Sequence, residues 1–173
     1  MADFMLVDGY NVINAWPELI TLKDNLEHAR DKLVDILSGY GAYKDYIIVI
    51  VFDAHATAGD RSVIEAVPGH LEVVFTKEGE TADSYIEKTA YQLVRQGEAV
   101  YVVTSDGAEQ MTIFGVGAWR IPARELLSDV RKADKLLRDG YTDSVLNRRR
   151  REIGGCVSRE VMEKLDEMRR RRF

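Results

Sequence analysis

Three aspartates sit where short apolar runs stop. Asp8 directly follows Phe4-Met5-Leu6-Val7, Asp53 directly follows the run from Tyr46 to Phe52, and Asp106 comes within a few residues of the run from Ala99 to Val103. A fourth, Asp83, falls just after Thr81, in the first turn of a segment with helical periodicity. Any one of these alone is ordinary turn or helix-start chemistry. Four carboxylates at one edge of a fold are harder to account for that way, because they repel, raise one another's pKa and destabilise the fold unless a cation neutralises them. An acidic, all-oxygen cluster suits Mg²⁺ or Mn²⁺. Two such ions about 3.5–4 Å apart can activate a water and stabilise the leaving oxygen of a phosphodiester.

The elements that would hold these residues follow from periodicity. Apolar runs of strand length alternate with helical stripes, the pattern of a parallel α/β domain. Strands are expected at Phe4–Val7, Tyr46–Phe52, Leu71–Phe75, Ala99–Val103 and Trp119–Ile121, with a short edge strand at 62–67. Leu26, Ala29, Leu33, Ile36, Leu37 and Tyr40 trace one helix face, with Gly39 and Gly41 as its stop. Thr81 caps a helix over 82–96, and a short helix is expected at about 107–114. Pro122 opens a helix that runs to about Arg138 and is closed by Gly140; Gly154 and Gly155 then precede a last amphipathic helix at roughly 158–170. In a parallel sheet the carboxyl ends of all strands share one edge, where ligands bind. Asp8, Asp53 and Asp106 are therefore brought to that edge.

Other chemistries fit less well. Gly115-Val-Gly117-Ala-Trp119 lacks the third glycine of a dinucleotide fingerprint, and no Gly-rich loop ends in Lys-Ser/Thr. His28, His55 and His70 lack metal-ligand spacing, the one cysteine is Cys156, and there is no nucleophile elbow. His55 stands beside Asp53 and is a candidate substrate contact.

At this point four stretches resemble a known family. Leu6-Val7-Asp8-Gly9-Tyr10-Asn11-Val12-Ile13 resembles the opening motif of NYN domains, a branch of the PIN-like nucleases. Val51-Phe52-Asp53-Ala54 resembles the second-strand motif that NYN proteins share with flap endonucleases; Thr81-Ala82-Asp83-Ser84-Tyr85-Ile86 and Val103-Thr104-Ser105-Asp106 resemble the two later acidic motifs. With the Glu-Ala-Val-Pro-Gly stretch at 65–69 and a basic C-terminal extension, the pattern is similar to the bacterial YacP-like NYN family. The resemblance implies a PIN-like three-layer α/β/α fold with a central parallel sheet over residues 1–145 and a basic helical tail over 146–173. It implies an Mg²⁺- or Mn²⁺-dependent endoribonuclease that associates with the ribosome and cleaves mRNA during translation. Carried over by motif, Asp8, Asp83 and Asp106 are metal ligands and Asp53 a further site acid, although Ala54 replaces the glycine of the flap-endonuclease motif. Asn11 either orients Asp8, contacts phosphate or caps a helix start; Ser105 either bonds a ligand or phosphate or satisfies its turn. Glu87 shares the helical face of Asp83 but reads as a solvated acid.

Charge distribution bears on the partner. Residues 146–173 hold ten Lys/Arg and five Asp/Glu, a net +5, whereas residues 1–145 hold 14 basic and 24 acidic groups, a net −10. Arg148, Arg149, Arg150 and Arg151, then Arg169, Arg170, Arg171 and Arg172, form two blocks that can engage RNA phosphates bidentately or pair with the acidic body. Lys77, Lys88 and Arg124 are too scattered to promise a basic groove along the acidic edge. Tyr10, Trp16, Tyr85 and Tyr91 are candidate stacking faces for bases, with Tyr85 and Tyr91 reading at least as well as core residues. The absence of an apolar run near the roughly 20 residues of a membrane span, and of a signal peptide before Met1, leads to the expectation of a cytoplasmic protein. A non-catalytic RNA- or ribosome-binding factor is the alternative, against which the retained acids argue: binding RNA has no use for a negative pocket. A flap-type DNA nuclease would need a helical arch for which 173 residues leave no room, and an aspartyl phosphatase would need an acid two residues after Asp8, where Tyr10 stands.

Overall fold

A computed structural model of the chain describes residues 2–53, 63–67, 71–105 and 117–156, with side chains at all of these except 63–67 and 142–156. The elements are β1 (Asp3–Asp8), α1 (Gly9–Ala15), α2 (Pro17–Ile20), α3 (Leu26–Lys44), β2 (Tyr46–Phe52), β3 (Val63–Val67), β4 (Leu71–Phe75), α4 (Ala82–Arg95), β5 (Ala99–Thr104), β6 (Trp119–Pro122) and α5 (Ala123–Cys156). By internal contacts the chain divides into two compact units, residues 1–133 and 134–173. The boundary expected after residue 145 falls within α5.

The first unit is built on one sheet in the order β3-β4-β2-β1-β5-β6. All neighbours pair in parallel except β3, which joins β4 antiparallel and forms one edge. Each parallel strand reads as the expected apolar run because helices cover both faces. Met5, Val7, Ile48, Ile50, Phe52 and Val103 point to one core, shared with Val12 and Ile13 of α1, Ala29, Leu33 and Leu37 of α3, and Leu126 and Val130 of α5. Leu6, Val49, Val51, Val74 and Val102 point to the other, against Ala82, Ile86 and Ala90 of α4. This alternation fixes the register. A one-residue slip of β1 would turn Leu6 and Val7 to the wrong cores and carry Asp8 with them.

The chain runs outward from β1 to β2 and β4, then returns to place β5 on the other flank of β1. The carboxyl end of β1 is thus a switch point in strand order, where a crevice opens in an open α/β sheet.

Several helix limits differ from those expected. Gly39 and Gly41 lie inside α3, which continues to Lys44 and is ended by Asp45 in the left-handed region (φ 59°). Gly41 serves packing instead: a Cβ there would stand 2.9 Å from Ile48 Cδ1. Pro122 is the last residue of β6, paired with Thr104, and the helix begins at Ala123. Gly140, Gly154 and Gly155 are all within α5 and do not end it. Glycine costs a helix only about 1 kcal/mol, which the neighbouring turns outweigh. The helices expected at 107–114 and 158–170 lie outside the described residues. Among the described residues, no helix is long and apolar enough to cross a membrane.

Candidate active site

Asp8 ends β1 and begins α1. Its carboxylate accepts from the backbone N–H of Asn11 (3.3 Å at Oδ1) and from Asn11 Nδ2 (3.1 Å at Oδ2). Asp8 is therefore the N-cap of α1, and Asn11 orients it with both main-chain and side-chain donors. A cap role for Asn11 itself is ruled out, since it stands inside the helix. Gly9 makes this sharp strand-to-helix turn possible: a Cβ there would meet Phe52 Cε1 at 2.2 Å. The Asp8-Gly9-Tyr10-Asn11 stretch thus combines a cap, a close approach and an orienting amide.

Asp8 is one of few buried charged or polar residues in the described core, only 6% exposed. Burial pushes its pKa up to about 6; the Asn11 backbone N–H pulls the other way, and Asp83, through charge and a carboxyl–carboxyl hydrogen bond, and the charge of Asp53 push it further up. Asp83 reaches this position because Thr81 caps α4, accepting from Ser84 N at 3.2 Å, which sets Asp83 in the exposed first turn at the same edge. Asp53 follows Phe52 directly and is in phase with Val51, on the face that α4 covers. Asp8, in phase with Leu6, belongs to that face too. Two of the other expected acids, Asp83 and Asp53, therefore act on Asp8 at the switch point.

Asp106 and His55 lie outside the described residues, as do the side chains of both arginine blocks; β5 delivers the chain to Thr104, two residues before Asp106. Ser105 is described and exposed. Among the described residues no three carboxylates, imidazoles or thiols are grouped so as to hold a metal ion by themselves. The donor set nevertheless suits a hard cation: oxygen ligands only, one carboxylate buried and oriented, and a second close enough to oppose its ionisation. Asp8 and Asp83, with Asp106 as the third ligand expected from the motif, are the residues that would hold it.

Of the aromatic residues expected to stack on bases, Trp16 is corrected. It is fully buried, and its indole Nε1 donates to the carbonyl of Ala123 at 2.8 Å, tying the α1–α2 junction to the start of α5. Tyr85 packs against the core under α4, Tyr10 is half-buried, and Tyr91 is exposed with Arg95 against its ring. The one residue at this edge that sequence reasoning passed over is Arg30. Its guanidinium donates to the Tyr10 hydroxyl at 3.1 Å and lies 5.6 Å from the centre of the Phe75 ring and 6.0 Å from that of Phe52. A cavity lined by Tyr40, Ile121, Leu126 and Asp129 shares no residue with the acidic cluster.

A three-layer α/β/α domain with carboxylates converging at the switch point of a parallel sheet is the architecture of a PIN-like nuclease. The family model described as the YacP-like NYN domain matches residues 5–170, and the chain belongs to that family. The match extends well into the C-terminal region, beyond the motifs. YacP of Bacillus subtilis (strain 168) is 46% identical over 134 residues, which span 77% of this chain and 78% of that protein. The crystal structure of Rae1 (YacP) from B. subtilis superposes with a TM-score of 0.74 at 39% identity, covering 97% of this chain and 95% of that one. A tryptophan-to-leucine variant of the same protein gives a TM-score of 0.66 at 41% identity, covering 90% and 86%. Membership in this family assigns the chain an RNA-related nuclease function.

Proposed function

We propose that the protein is a divalent-metal-dependent endoribonuclease that cleaves mRNA presented by the ribosome. The observation that carries this reading is the state of Asp8: a carboxylate at the switch point, fixed by two Asn11 donors, whose pKa burial pushes up to about 6, with Asp83 raising it further. An arrangement that costs stability when ionised is kept where a cation would repay it. When bound, Mg²⁺ or Mn²⁺ supplies charge stabilisation for a phosphodiester and a water of lowered pKa. Asn11 holds Asp8 in the rotamer that presents its oxygens at the sheet edge. Asp83 contributes from the opposite element, and Asp53 adds negative charge that raises cation affinity.

Presentation by a partner follows from charge. Residues 1–145 carry a net −10 and the arginine blocks fall within 146–173, so intrinsic affinity for free RNA is low and docking by the tail raises the local substrate concentration only where it docks. The cytoplasm, where translating ribosomes are found, is the corresponding location. The test compares cleavage of one mRNA, free and during translation, by the wild type and by Asp8→Asn. Cutting confined to the translated message and lost in Asp8→Asn supports the proposal. Efficient wild-type cutting of free RNA at many positions defeats presentation, and equal cutting by Asp8→Asn defeats the nuclease assignment as well.

A further inference from the structure

Arg30 lies in the second turn of α3. That helix returns the chain to the amino end of β2, so its own N-terminal turns stand at the carboxyl edge of the sheet. The rings beneath the guanidinium belong to Phe52 and Phe75, the paired last residues of β2 and β4. The two rings stack with centres 5.6 Å apart, and Tyr10 lies 5.1 Å from Phe52. Three cations of the described surface are matched to acids: Lys44 to Asp129 at 3.5 Å, Arg131 to Glu18 at 2.9 Å and Arg138 to Asp134 at 2.9 Å. Arg30 is held by a hydroxyl and two π faces, and among the described residues no carboxylate pairs with it. Its charge is therefore oriented but not neutralised. Of the five N–H donors of a guanidinium, the Tyr10 hydroxyl takes one.

We infer that Arg30 binds a backbone phosphate of the substrate strand next to the one positioned at the acids, with Tyr10 as the residue that aims it. This rests on the nuclease reading of the Asp8 site. The two places are the opposite faces of one sheet edge. Phe52 links them: its ring lies under Arg30 and is closely approached by Gly9, the neighbour of Asp8. A single strand crossing the edge offers one phosphate to the acids and an adjacent one to Arg30. A bidentate guanidinium also offsets, at short range, the repulsion between RNA and an acidic body.

The experiment uses the full-length chain with Asp8→Asn to prevent cleavage, and follows fluorescence anisotropy of a labelled single-stranded oligoribonucleotide across KCl concentrations. Thermal unfolding verifies that each variant is folded. Adding Arg30→Met, which keeps apolar contact with the rings, is expected to weaken binding about tenfold at low salt and to make the slope of log affinity against log salt shallower by about 0.7, the value of one single-strand phosphate contact. Tyr10→Phe keeps the charge and is expected to weaken binding a few-fold with the slope intact. If Arg30→Met does not fold, Arg30→Lys replaces it, with an unchanged slope and an affinity a few-fold lower than that of Arg30. Unchanged affinity and slope in Arg30→Met, or wild-type affinity in Arg30→Lys, would overturn the role of Arg30 and leave the acid site untouched. No RNA binding at low salt even with Arg30 present would overturn the role of Arg30 and leave the nuclease reading, which expects low affinity for free RNA, standing.

Discussion

Replacing Asp8 with Asn in the metal-free protein should change the sign of its effect with pH. The folded-state pKa of Asp8 is raised from 3.8 to about 6, so the folded chain holds this proton more tightly than the unfolded chain does. The stabilisation from that proton is fully present below about 3.8 and is lost as the pH rises through about 6. The interval corresponds to about 3 kcal/mol, and because Asp8 is only 6% exposed, solvent screening removes little of it. Asparagine carries no such penalty and caps α1 as well as aspartate does. Its amide cannot accept at both positions from Asn11, which donates at 3.3 and 3.1 Å, and the mismatch costs about 1 kcal/mol. The variant is therefore expected to be about 1 kcal/mol less stable than the wild type at pH 4 and about 2 kcal/mol more stable at pH 7.5. At neutral pH this gain raises Tm by roughly 4–8 °C for a chain of this size. Urea denaturation followed by circular dichroism in EDTA at pH 4, 5, 6 and 7.5 measures the difference. A constant difference across that range would refute the burial and charge reasoning for Asp8.

Mn²⁺ should raise the Tm of the wild type by linkage and raise that of Asp83→Asn much less; equal rises measured by thermal unfolding would remove Asp83 from the ligand set. Gly9→Ala should destabilise by about 1–3 kcal/mol in chemical denaturation, because its Cβ would meet the Phe52 ring at 2.2 Å. Trp16→Phe should cost about 1–3 kcal/mol in the same measurement, since the Ala123 carbonyl loses the buried donor now 2.8 Å away.

The strands and the acids at their ends were legible because each signal is local. An apolar run from Tyr46 to Phe52 stops at a charge, and a threonine at 81 precedes an amphipathic stripe. What was misread depends on contacts remote in sequence. Gly41 looked like a helix stop, but the reason for glycine there is Ile48 of the following strand, while the stop is Asp45. Trp16 looked available for stacking because nothing near it in sequence announces Ala123, 107 residues away, as its partner. Arg30 reads as one charge among several on the outer face of α3, next to Asp31 and Lys32. Only the pairing of Phe52 with Phe75 and the turn at Gly9 bring two rings and the Tyr10 hydroxyl around it.

Metal-dependent phosphodiester cleavage at the Asp8–Asp83 edge is tested most directly by single-turnover cleavage of an end-labelled RNA. The protein is used in excess and at low salt, so that weak affinity does not limit the rate. The expected result is cleavage by the wild type in Mn²⁺, none in EDTA, and a rate at least about 100-fold lower for Asp8→Asn, in line with loss of a group that acts on the transition state. Wild-type cleavage at the same rate in EDTA, or undiminished cleavage by Asp8→Asn in Mn²⁺, would contradict it.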